Sequence, residues 1–184
     1  LAGVLALSVL TGCANGVKSK DVADSLTKMG IKVEQSKDLD KTAKSTLTAI
    51  EAIVDASAKD SSVTAENKIT LDNAVKADGK VVKTNGFENA DTGKKVQKAL
   101  GMFTEAGATD AEKANAGKQV RVALVKTENA KKDASLQAAL VKDGLIATHV
   151  IILPTDKKIA ETGKLGSAKT SDGKYILVVI VNDV

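Results

Sequence analysis

Apolar residues recur at Leu39, Ala43, Leu47, Ile50 and Val54, at spacings of 4, 4, 3 and 4. That period lays them along one side of an amphipathic helix, with Ser36 placed as its N-cap. Upstream, Asp21 to Met29 suits a short helix stopped by Gly30, and Ile31-Lys32-Val33-Glu34 alternates like a strand. Downstream, Thr64 and Asn67 open a weaker helical stretch through Ile69, Leu71, Ala74 and Val75, ending at Gly79. Val81-Val82 suggests a brief strand and Asn85-Gly86 a turn. Thr92 is placed to cap a further helix with Val96, Ala99, Leu100 and Phe103 on one face and Gly107 as its stop. Thr109 and Glu112 form a capping-box pair that predicts a helix from Asp110. The run Val120 to Val125 fits helix or strand, and its Ala-, Lys-, Gln- and Glu-rich flanks favour helix. Asp133 to Lys142 reads as a helix closed by Gly144.

The pattern then changes. Leu145 to Leu153 and Tyr175 to Val181 are β-branched runs with almost no polar interruption. Such strands are covered on both faces in folded proteins, and the helices are the available cover. Pro154 ends the first run, Asp156 to Thr162 suits one helical turn, and Asp172-Gly173 turns the chain into the last strand. The expected class is therefore α+β, with a mainly helical N-terminal two-thirds packed on a small C-terminal β-sheet. A mostly α fold with a C-terminal hairpin is the alternative. At 184 residues the chain is long enough for one domain with a real core, placed over residues 21–184.

The N-terminal run Leu1 to Leu10 is uncharged and apolar. It is too short to span a bilayer, which takes about 20 residues, and fits the apolar region of a signal peptide, about 7–15 residues long. Leu10-Thr11-Gly12-Cys13 follows without interruption. Small side chains at Thr11 and Gly12 leave the backbone open to a protease, and the Cys13 thiol can form a thioether. This stretch resembles the lipobox of bacterial lipoproteins. The resemblance implies that residues 1–12 are part of a signal peptide lacking its basic beginning, recognised through Leu10, Thr11 and Gly12. It also implies cleavage before Cys13 and acylation of that residue, so that membrane lipid becomes a partner through Cys13. Two or more acyl chains make such anchoring stable where one is marginal. Ala14, where an Asp would favour the inner membrane, implies the outer membrane in a Gram-negative host. Residues 13–20 read as a tether spanning about 15 Å.

Composition narrows the chemistry. One Cys permits no internal disulfide, and one His, His149, permits no multi-histidine metal site. Neither a metal nor a cofactor is implied. Aromatic residues make up 2% of the chain, too few for stacking on bases or sugars. The net charge of +4 does not point to nucleic acid, because the lysines are interleaved with acids and Arg121 is the sole arginine. The pairs Lys94-Lys95, Lys131-Lys132 and Lys157-Lys158 read as solvated faces, with weak attraction to anionic lipid or envelope polymers as the other reading.

Two motifs are near misses. Gly163-Lys164-Leu165-Gly166-Ser167-Ala168-Lys169-Thr170 approaches a phosphate loop, but Ala168 stands where glycine is required and a strand follows where a helix should. A surface loop is the expectation. His149 lies in an expected strand with no nucleophile or carboxylate assigned to it by sequence. The function these features favour is a membrane-anchored envelope lipoprotein with a non-enzymatic binding domain, its partner a protein or an envelope polymer. The alternatives are a structural or assembly accessory that self-associates, and an envelope enzyme with a carboxylate-based site.

Overall fold

A computed structural model describes residues 16–72, 90–147 and 162–182, with side chains described throughout except at 90–92, 146 and 147. The expectations for residues 73–89 and 148–161 lie outside the described residues, among them Pro154 and most of the strand from Leu145. Within them the order is α1 (Ser19–Lys28), β1 (Lys32–Gln35), α2 (Lys37–Lys59), α3 (Ala90–Ala99), β2 (Gln119–Lys126), α4 (Ala134–Ala147), β3 (Thr162–Lys169) and β4 (Tyr175–Asn182). The fold is α+β. No described helix is long and apolar enough to cross a membrane.

The four strands form one mixed sheet in the order β1-β3-β4-β2. β1 runs parallel to β3, while β4 is antiparallel to both β3 and β2. β4 explains the architecture. Tyr175, Leu177, Val179 and Val181 pack with α2 and α3 on one face, while Ile176, Val178 and Ile180 pack with α1 and α4 on the other. A strand covered on both sides reads as one unbroken apolar run. It lies between β3 and β2, so its backbone presents no free edge.

The N-terminal elements follow their local signals. Gly30, at φ +94°, closes α1, and Ser36 Oγ accepts the Leu39 amide at 3.4 Å to cap α2. Leu39, Ala43, Leu47 and Ile50 are buried as spaced, and Ile53 takes the next core position while Val54 is half-buried. A 3.6-residue period carries the stripe from 39 to 53 rather than 54.

Several elements differ from expectation. Gln119–Lys126 is a strand, not a helix, because every residue pairs with β4 and both faces meet core. Tertiary pairing outweighs the weak helical preference of the flanks. Where a helix from Thr64 is expected, Ala65–Asn67 forms a 3-10 turn and residues 71–72 are helical, the rest of the expected stretch lying outside the described residues. Thr92 lies inside α3 rather than at its cap. Gly101, not Gly107, ends α3: at φ +74° it donates to Lys98 O while Met102 donates to Gln97 O. Thr109 and Glu112 do exchange both box hydrogen bonds, at 2.9 and 3.3 Å. The residues after them form turns, with Asn115 the one buried side chain among residues 113–118. Gly144 does not stop α4; a Cβ there would come within 2.9 Å of Val125 Cγ1, so glycine lets the helix cross β2. Leu145 to Ala147 accordingly finish a helix instead of starting a strand.

Candidate functional site

Leu10, Thr11, Gly12, Cys13, His149 and Lys157-Lys158 lie outside the described residues. The description begins three residues past Cys13, and the chain is drawn into the fold at once. Val17 is buried with the α1–α4 core cluster. Its carbonyl accepts a hydrogen bond from the Lys169 ammonium at the end of β3, and burial pulls that amine below the usual lysine range. Ser19 and Lys20 already belong to α1.

Beside this point lies a cavity of about 420 Å³ lined by Lys18, Ser19, Lys20, Gln35, Lys37, Asp40, Lys41 and Ser167. The start of α1, the β1–α2 junction and the middle of β3 build it. Ser19 Oγ and Ser167 Oγ share a hydrogen bond of 2.5 Å. The one lining carboxylate, Asp40, accepts from Gln35 Nε2 at 2.5 Å and from the Ser167 amide at 2.9 Å. Both of its oxygens are thus engaged in holding α2 to β3, while the four lysine side chains are exposed.

A larger groove of about 730 Å³ opens at the other end of β3. Lys32, Glu34, Asp38, Lys118, Thr162 and Lys164 give it a polar lining of both signs. Asn182, 5% exposed, lines it too, above Gly163. A Cβ on Gly163 would stand 2.7 Å from Asn182 Oδ1, so the glycine is required by that side chain. The stretch read as a surface loop, Gly163 to Lys169, is therefore the interior strand β3, with Ala168 in the core. It has no freedom to wrap a phosphate.

The third polar assembly surrounds the β3–β4 turn. Asp172 accepts from Thr170 Oγ1 at 2.7 Å and from the Lys174 amide at 2.9 Å. Burial, then the nearby Asp172 charge, raises Glu51 to about 7. The Tyr175 hydroxyl donates to Asp72, and burial followed by that bond pushes its pKa up. Two neighbouring carboxylates of unequal proton affinity are what carboxylate catalysis needs. Neither of the two cavities above is lined by Glu51 or Asp172, and Glu51 Oε1 is buried without a partner. Among the described residues no group of three or more His, Cys, Asp or Glu is placed to hold a metal ion.

Sequence reasoning names none of these assemblies, since each joins distant segments. Of the lysine pairs, Lys131-Lys132 is solvent-exposed, whereas Lys94 reaches Glu105 at 3.1 Å. Arg121 is buried in β2 at 7% exposure and offers no surface fork for phosphate. Compared with protein-family models, curated proteins and solved structures, the chain matches none.

Proposed function

We propose that the protein is a lipid-anchored lipoprotein of the bacterial cell envelope whose domain works by binding. The observation that carries this reading is Leu10-Thr11-Gly12-Cys13 directly after an apolar, uncharged decapeptide. Capture of the chain at Val17, four residues beyond the thiol, supports it, because a fold so close to the acyl group is held at the membrane surface. In a Gram-negative host Ala14 directs it to the outer membrane. The 730 Å³ groove, at the end of β3 away from Lys169, is the face offered to a polar partner, a protein segment or an envelope polymer. Its mixed charges suit hydrogen-bonding ligands better than acyl chains. Growth of expressing bacteria in labelled palmitate tests the anchor. Label enters the parent protein and is absent from Cys13→Ala; equal incorporation in both refutes the reading.

A further inference from the structure

The 420 Å³ cavity is lined differently from the 730 Å³ groove. Four of its eight lining residues are lysines, and its one carboxylate already has both oxygens engaged. Lys18 and Lys37 have no ion pair among the described residues. Lys20 leans on Asp24 at 2.6 Å and Lys41 on Asp38 at 3.5 Å, both pairs exposed to water. Exposed pairs of this kind are weak, so an incoming phosphate competes for both ammonium groups. Asp21 spends one oxygen on the Lys18 amide at 3.0 Å. The lining itself therefore carries four exposed lysines against the single carboxylate of Asp40, around a recess large enough for a phosphodiester.

Its position supplies the occupant. Lys18 is five residues beyond Cys13, and the three residues from Cys13 to Gly16 span at most about 10 Å when extended. The Lys169 bond to Val17 O and the Ser19–Ser167 bond fix that segment against β3, directly beside the cavity. We propose that Lys18, Lys20, Lys37 and Lys41 seat the domain on anionic phospholipid headgroups, whose phosphates lie in this cavity. The orientation rests on acylation of Cys13. Anchor and headgroup contact then act together, the lysines orienting a domain that the acyl chains only tether, and turning the groove at the Thr162 end of β3 away from the bilayer.

The test uses the mature chain, residues 13–184 with Cys13→Ser, sedimented with phosphatidylcholine vesicles or with vesicles containing about one-third phosphatidylglycerol. Each lysine near an anionic surface strengthens binding by roughly fivefold. The chain is expected to sediment only with the anionic vesicles and to be released by about 0.5 M salt. K18Q/K20Q/K37Q/K41Q is expected to bind at least about tenfold more weakly. K59Q/K95Q/K98Q/K113Q, which removes the same charge elsewhere on the surface, is expected to bind like the parent. Circular dichroism confirms that both variants are folded. Equal sedimentation with neutral vesicles, equal losses in the two variants, or no loss in the first overturns the proposal. Because this chain carries no acyl group, the result is independent of palmitate labelling at Cys13, and either idea can fail alone.

Discussion

Gly166 carries the closest approach between sheet and helix, and Gly166→Ala measures what that approach is worth. A Cβ at this position would stand 1.9 Å from Leu39 C, 2.1 Å from Leu39 O and 2.3 Å from Asp40 N, all backbone atoms of the first turn of α2. Ordinary contact begins at 3.4 Å, so α2 must lift by more than 1 Å. Two hydrogen bonds hold that turn down: Ser36 N to Leu165 O at 2.8 Å and Ser167 N to Asp40 Oδ1 at 2.9 Å. Losing both removes about 2 kcal/mol, and overpacking adds about 1–3 kcal/mol. The expected total, about 3–5 kcal/mol, lowers the urea midpoint by about 1.5–2.5 M at a slope of about 2 kcal/mol per M. Gly107→Ala is the control, since that glycine has φ +87° and nothing within 4 Å of its Cβ position. It should lose only about 1 kcal/mol from backbone strain. A Gly166→Ala loss no larger than the control's would refute the account of how α2 is joined to β3.

Glu51 gives the protein a pH dependence of defined sign. Its folded pKa, about 7, lies above the ordinary 4.5, so its contribution is complete below pH 4.5 and fades as pH rises through 7. After allowance for its half-exposure, the swing is about 1 kcal/mol. Glu51→Gln should therefore flatten stability between pH 5 and 8 and exceed the parent at pH 8; urea melts with parallel pH profiles would contradict this. Asn115→Ala removes the buried bond from Nδ2 to Leu100 O at 2.8 Å, which should cost about 1–2 kcal/mol and lower Tm by a few degrees in calorimetry. An unchanged Tm would mean that this bond does not hold the α3 exit to the turn before β2.

What local sequence encodes was legible: the Ser36 cap, the stripe from Leu39 to Ile50, the Gly30 stop and the doubly covered β4. What failed depended on partners distant in the chain. Gln119–Lys126 becomes a strand only because β4 arrives about 50 residues later to pair with it. Gly166 and Gly144 resemble loop or stop glycines in sequence, yet each sits inside a regular element where another backbone or side chain comes close. Gly101 and Gly107 are six residues apart, and the hydrogen bonds to Lys98 O and Gln97 O decide between them. The candidate sites divide in the same way. The lipobox-like stretch Leu10 to Cys13 is contiguous and stands out in the sequence, whereas the lysine cavity joins residues 18–20, 35–41 and 167, which come together only through the β1–β3 pairing. One trace was available: Lys18, Lys20 and Lys37 sit at helix starts, where the helix dipole favours acids.

The most direct measurement is intact and peptide mass spectrometry of the protein extracted from the membranes of bacteria expressing it. The account predicts an N-terminal peptide that begins at Cys13 and carries the mass of a thioether-linked diacylglycerol. A peptide that runs unmodified through Gly12-Cys13 in the soluble fraction would contradict it.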